Sequence, residues 1–184
     1  MDIIGITGLA GSGKDTFAEA IMQEGWRRYS FTDPIKDGLA AMFGFPRVWL
    51  DDNEAKESVV HPYGVSLQHM MQTLGTEWGM RLIHSDVWIL RAKQFIAEAS
   101  LVYPGVVIPD VTSPDQAKFI RDNGGLLVHL VRDGATLVEG VGQPGHDKAL
   151  WFEPSDLVVY NDDSIDRLKA KAKGLALGFH AFVP

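Results

Sequence analysis

The chain contains no cysteine among its 184 residues. That excludes disulfide staples and thiolate metal sites, so stability has to come from a packed core. No apolar run is long enough to span a bilayer, which excludes a membrane helix. No basic, then apolar leader precedes the first apolar stretch, so a cytoplasmic location is expected. Positive charge is in deficit, with 17 Lys and Arg against 24 Asp and Glu and a net charge of −7. Binding to a nucleic-acid duplex needs clustered cations, so nucleic acid is excluded as a partner. A small anionic ligand remains open, because a local cationic pocket can outweigh the global sign. Hydrophobic residues make up 46% of the chain, which excludes disorder and fibrous folds. The length suits a single domain over 1–184.

What is present begins at residue 3, with Ile3-Ile4-Gly5-Ile6-Thr7-Gly8-Leu9-Ala10-Gly11-Ser12-Gly13-Lys14-Asp15-Thr16. An apolar strand runs into a glycine-rich turn and then into an amphipathic helix with Phe17, Ala18, Ile21 and Met22 on one face. Gly8-x4-Gly13-Lys14 is the first part of the phosphate-binding P-loop pattern. Its glycines admit phosphate close to the backbone, Lys14 reaches the β- and γ-phosphates, and the helix N-terminus adds a positive dipole. The ligand class is therefore a nucleoside triphosphate. The common pattern carries Ser or Thr directly after the lysine, whereas here Asp15 stands there and Thr16 follows. Asp15 has no hydroxyl to offer a metal, but it can hold a Mg²⁺-bound water.

Apolar periodicity places strands at residues 2–7, 27–31, 105–110, 126–132 and 156–160. Helices are expected over 14–24, from Pro34 to Gly44, over 66–83, 85–99, 114–123 and 164–178. Gly75 and Gly79 are expected to bend or interrupt the 66–83 helix. Residues 46–64 read as a surface excursion, and about 133–155, rich in Gly and Pro, as a lid. The order is that of an α/β fold: a three-layer α/β/α P-loop architecture with a five-stranded parallel sheet. A helical acceptor-binding region at about 33–100 and the lid are inserted into it. Ligands in such sheets bind at the carboxyl ends of the strands.

The polar residues just after predicted strands are therefore the site candidates: Lys14, Asp33, Asp110, Arg132 and Asn161. Asp110, on the strand expected beside the first, sits where P-loop enzymes keep a carboxylate near Mg²⁺. Arg132 could clamp transferring phosphate. Asp33 and Lys36 follow the second strand. Arg81, Asp86 and Arg91 lie on the inserted helices, where an anionic acceptor would need guanidinium forks. Trp78 and Trp88 are candidates to stack a nucleobase, with core packing as the plainer role. Tyr63 and Gln72 are weaker base-contact candidates. No histidine has metal-ligand spacing.

At this point the chain resembles the phage deoxynucleoside monophosphate kinase family. The resemblance rests on Gly11-Ser12-Gly13-Lys14-Asp15-Thr16, Phe31-Thr32-Asp33-Pro34-Ile35-Lys36, Leu74-Gly75-Thr76-Glu77-Trp78-Gly79 with Arg81, Ile108-Pro109-Asp110-Val111 and Asn161-Asp162-Asp163-Ser164. It implies transfer of the γ-phosphoryl of ATP, with Mg²⁺, to a 2′-deoxynucleoside 5′-monophosphate, in the host cytoplasm if the chain is phage-encoded. It implies that Gly11, Ser12, Gly13, Lys14, Asp15 and Thr16 hold the donor phosphates, and that Asn161 lies near the adenine. Asp15 and Asp110 would organise Mg²⁺ through water. Asp33, Lys36, Trp78, Arg81, Asp86, Trp88 and Arg91 would hold the acceptor, and Lys14, Asp110 and Arg132 would act on the transferring group. The partners expected are small-molecule nucleotides, with a homodimer left open. Residues 133–155 contain no arginine, and the lid reads His146-Asp147-Lys148. Two alternatives stay open: another small-molecule P-loop kinase, such as one acting on phosphomevalonate or dephospho-coenzyme A, and a non-catalytic nucleotide-binding module.

Overall fold

The computed structural model describes residues 1–132 and 152–181. The expected lid falls largely outside the described residues, and His146, Asp147 and Lys148 fall wholly outside them. The chain divides into two compact units, one of Met1–Ser30 with Gln94–Pro184 and the other of Phe31–Lys93.

The first unit carries the sheet. Its strands are β1 (Asp2–Thr7), β2 (Arg27–Arg28), β5 (Gly105–Ile108), β6 (Leu126–Val131) and β7 (Leu157–Tyr160). They lie in the order β2-β5-β1-β6-β7, and every pairing is parallel. Helices α1 (Lys14–Met22), α6 (Pro114–Asp122) and α7 (Ile165–Leu177) flank it. The alternation of β1 sorts them into layers. Ile4 and Ile6 join Phe17, Ala18 and Ile21 of α1 and Leu168, Ala172 and Leu175 of α7 in one buried cluster. On the other face, a Cβ on Gly5 would lie 2.2 Å from the Cδ1 of Ile120, so α6 packs directly on the strand backbone. The central strand is buried on both faces, which is why β1 reads as a nearly continuous apolar run. A nine-residue helix such as α1 is marginal alone. Full burial of Phe17 and Ile21, each contributing about 1.5–3 kcal/mol, makes it stable here.

The second strand is shorter than the predicted 27–31, because only Arg27 and Arg28 pair with Val106 and Val107. One further bond, from the Tyr29 N–H to the Val107 carbonyl at 3.0 Å, extends the contact before the chain turns away.

The second unit is helical. It contains α2 (Asp33–Phe43), a 3₁₀ turn (Arg47–Leu50), α3 (Asn53–Glu57) and a hairpin of β3 (Val59–Val60) with β4 (Val65–Ser66). Then come α4 (Leu67–Gln72), a π-helix (Thr73–Ile83) and the first turns of α5 (Val87–Ala99). Its core is Ile35, Leu39, Leu50 and Leu67. The stretch 46–64 lies mostly at the surface, as expected, but is built of regular elements. Leu50 is fully buried and anchors the 3₁₀ turn, and the Asp52 side chain caps α3 by accepting from the Ala55 N–H at 2.8 Å. One buried apolar residue among many polar ones leaves no periodicity to detect. The 66–83 helix continues without a break but widens to π geometry at Thr73. Gly75 and Gly79 are both buried within it.

Candidate active site

The parallel register brings four strand ends of the first unit together. Lys14 follows β1, Asp110 follows β5, Arg132 follows β6 and Asn161 follows β7, and these four strands are consecutive in the sheet. Between β1 and α1 the loop is held in a conformation only glycine adopts readily: φ is 77° at Gly11 and 97° at Gly13. A Cβ on Gly13 would stand 2.7 Å from the Asn161 amide nitrogen, while one on Gly11 would meet nothing within 4 Å among the described residues. The loop is thus tight on its protein side and open at Gly11.

Within this loop the Lys14 ammonium donates to the carbonyls of Gly8 at 3.0 Å and Leu9 at 2.8 Å. Burial pulls its pKa below the ordinary lysine value, opposed by the negative charges of Asp15 and Asp110. The Asn161 amide donates to the Ser12 carbonyl at 2.9 Å, and the Asn161 N–H to the Val131 carbonyl at 2.7 Å. Arg132 is exposed and reaches the Gly11 carbonyl at 3.4 Å. Asp15 is 82% exposed, with Arg28 at 3.9 Å.

The loop also presents unsatisfied polarity. The hydroxyls of Thr7 and Ser12 are buried with no hydrogen-bond partner among the described residues. Helix α1 starts at Gly13 with no side-chain cap, whereas Ser113 caps α6 and Ser164 caps α7. Uncapped first-turn N–H groups beside an ammonium form an anion cradle. No cluster of three or more His, Cys, Asp or Glu able to hold a metal occurs among the described residues. A hard cation carried on phosphates with one or two carboxylates suits that donor set, whereas an all-protein cage does not.

The sequence missed Ser30, which donates to Asp110 Oδ2 at 2.5 Å. A small polar residue at the end of a strand leaves no signal in periodicity or motif.

In the second unit, Asp33 and Lys36 lie in an ion-pair cluster centred on Arg47. Arg47 donates to Asp33 at 2.8 Å, to Asp37 at 2.8 Å and to Asp51. Lys36 donates to Asp51 at 2.7 Å. Burial pushes the Asp51 carboxyl up, but hydrogen bonds from Arg47 and Lys36, with their charges, bring it down to about 2. Arg47 was not foreseen, because an arginine in a polar stretch carries no pattern of its own. Trp78 is 48% exposed on the π-helix, with Arg81 exposed three residues on. Asp86 is exposed at the start of α5 and accepts from the Ser85 hydroxyl at 3.2 Å, and Arg91 is half-buried on α5. Trp88, also a base-contact candidate, packs within the unit. Its indole N–H donates to the Gly75 carbonyl at 2.8 Å, and its ring lies so close to Gly79 that a Cβ there would be 2.6 Å away. Tyr63 packs edge-on to Phe43 and Phe45, and Gln72 donates to the Thr76 hydroxyl.

The family model for deoxynucleotide monophosphate kinase matches residues 50–172. The chain belongs to that family. The matched stretch starts well after the glycine loop, so family and loop geometry are independent observations. This kinase is 26% identical to the deoxynucleoside-5′-monophosphate kinase of Escherichia phage T5, over 70% of its own chain and 77% of that protein. It is 24% identical to the deoxynucleotide monophosphate kinase of Enterobacteria phage T4, over 94% of its own chain and 98% of that protein. Among solved structures it resembles a dephospho-CoA kinase from Campylobacter jejuni, with a TM-score of 0.52 at 10% identity and 97% and 98% of the two chains covered. That likeness concerns the fold alone. None of the kinase's helices among the described residues is long and apolar enough to cross a membrane.

Proposed function

We propose that the enzyme transfers the γ-phosphoryl group of ATP to a 2′-deoxynucleoside 5′-monophosphate. The observation that carries this reading is Lys14 seated in an uncapped, glycine-built anion cradle, with Asp110 at the end of the adjacent strand, in a chain of this family. An oxygen of the acceptor phosphate attacks the γ-phosphorus as the bond to the β-phosphate oxygen breaks. No general base is required when the acceptor phosphate is already ionised, so catalysis rests on positioning and electrostatics.

Lys14 exchanges the Gly8 and Leu9 carbonyls for phosphate oxygens, and its charge stabilises the transferring group. The N–H groups from Gly11 to Thr16, with the Ser12 and Thr16 hydroxyls, hold the donor phosphates. Mg²⁺, held through water by Asp110 and Asp15, would neutralise charge on the phosphates. Asn161 keeps the loop in shape through Ser12 and lies on the donor side. Arg132, exposed beside Gly11, is assigned to the transferring phosphate. On the acceptor side, Asp33 and Lys36 are pre-oriented by Arg47 and Asp51, and Trp78, Arg81, Asp86 and Arg91 complete the binding surface. The host-cytoplasm setting belongs to the same reading, drawn from the family.

The test is a coupled ADP-release assay with ATP and each deoxy- and ribonucleoside monophosphate, with an isoprenoid phosphate and dephospho-coenzyme A alongside. Turnover with at least one deoxynucleoside monophosphate is expected. Turnover with only a non-nucleotide acceptor would overturn the assignment.

A further inference from the structure

Asp110 sits in a backbone held from both sides. Before it, Val107 pairs with Arg28 of β2 and accepts from the Tyr29 N–H at 3.0 Å. After it, the Val111 N–H donates to the Ile6 carbonyl at 3.2 Å. The main chain therefore fixes where the Asp110 Cα lies beside the loop, and side-chain bonds set the carboxylate's torsion. Ser30 acts on that torsion. It lies one residue past the last bond between the second strand and β5, so strand register delivers it to the carboxyl end of β5. It is 3% exposed, and its hydroxyl donates to Asp110 Oδ2 at 2.5 Å. Hydrogen bonds to an ionised acceptor are short and directional. A hydroxyl taken out of water also needs such a partner, whereas an alanine of nearly the same volume would fill the space without one.

We infer that Ser30 is a positioning residue that holds the Asp110 carboxylate in the orientation it uses toward the Mg²⁺–nucleotide. This deepens the proposed function and rests on its assignment of Asp110. The supporting geometry is local to the first unit: β5 lies directly beside β1, and the charge of Asp110 acts on Lys14 at the end of that strand. Side chains that orient a metal-directed carboxylate typically change metal affinity or activity about 10–100-fold when removed. A merely structural serine would instead change stability alone.

The experiment compares wild type, Ser30→Ala, Asp110→Asn and the double variant. Binding of a non-hydrolysable ATP analogue is measured by calorimetry across a Mg²⁺ titration, together with steady-state kinetics and thermal melting. In Ser30→Ala the Mg²⁺ concentration for half-maximal analogue binding is expected to rise about tenfold. Turnover should fall at low Mg²⁺ and recover at high Mg²⁺, with the acceptor KM within about twofold of wild type. In the Asp110→Asn background the same change should have no further effect on the Mg²⁺ midpoint. An unchanged midpoint in Ser30→Ala, or effects of the two substitutions that multiply, would overturn the inference. Analogue binding does not involve the acceptor. If no deoxynucleoside monophosphate is phosphorylated while Ser30→Ala still shifts the Mg²⁺ midpoint, the acceptor assignment fails and the role of Ser30 stands.

Discussion

The side-chain amide of Asn161 donates to the carbonyl of Ser12 at 2.9 Å, tying the end of β7 to the glycine loop 149 residues earlier in the chain. Together with the close approach of its amide to Gly13, this bond braces the loop from the side away from Gly11. In Asn161→Ala the loop loses about 1 kcal/mol of ordering. The dissociation constant of an ATP analogue should rise roughly fivefold. Calorimetry decides it, and unchanged affinity would show that the brace is dispensable.

In the proposed reaction Lys14 is the cation that meets the transferring phosphate. Lys14→Ala should lower kcat/KM by roughly two to three orders of magnitude while leaving the thermal melt near wild type. The direction of its pKa adds a pH signature. A lysine held below its ordinary value loses its proton earlier as pH rises. Activity measured as kcat/KM should therefore decline on the alkaline side before an ordinary lysine would titrate. A profile flat to the ordinary lysine range would contradict the desolvated setting of the ammonium.

The two tryptophans should behave oppositely. Trp88→Phe removes the bond to the Gly75 carbonyl and should cost about 1 kcal/mol of stability, with the acceptor KM unchanged. Trp78→Ala removes an exposed ring, so stability should stay within about 0.5 kcal/mol and the acceptor KM should rise several-fold. Melting curves and acceptor titrations separate the two, and the reverse pattern would exchange their roles.

Asp156, with a side chain only 1% exposed, is held by Arg121 through two bonds of 2.9 and 2.6 Å, by His129 at 3.0 Å and by the Glu153 N–H at 2.9 Å. Burial opposes ionisation, yet these donors bring its carboxyl below the ordinary value. A lowered carboxyl pKa stabilises the fold above the unfolded value and loses that stability as pH falls through the folded one. Asp156→Asn should cost about 2 kcal/mol at neutral pH, because Arg121 loses the buried one of its two carboxylate partners and keeps the exposed Glu153. It should also flatten the acid limb of the stability curve. Urea melts at several pH values test both, and an acid limb identical to wild type would remove Asp156 from the account.

The sheet, its helices and the loop were legible in the sequence because β1, β5 and β6 are buried on both faces and leave apolar runs bounded by turns. Asp110, Arg132 and Asn161 were found by one rule, that ligands gather at the carboxyl ends of parallel strands. What stayed hidden depends on long-range pairing. Ser30, Arg47 and the partners of Asp156 are ordinary polar residues whose meaning appears only when a distant segment arrives. Trp88 could serve as base platform or packing peg by sequence alone, and its bond to the distant Gly75 carbonyl shows that it packs.

The strand order also dictates a folding history. The central strand β1 finds both of its neighbours late, since β5 begins at Gly105 and β6 at Leu126. As the chain emerges during synthesis, the glycine loop exists long before the sheet that shapes it. Closing those long loops delays assembly of the sheet. The two strands that flank β1, and with it the start of the glycine loop, are therefore available only once the chain has been made as far as Val131.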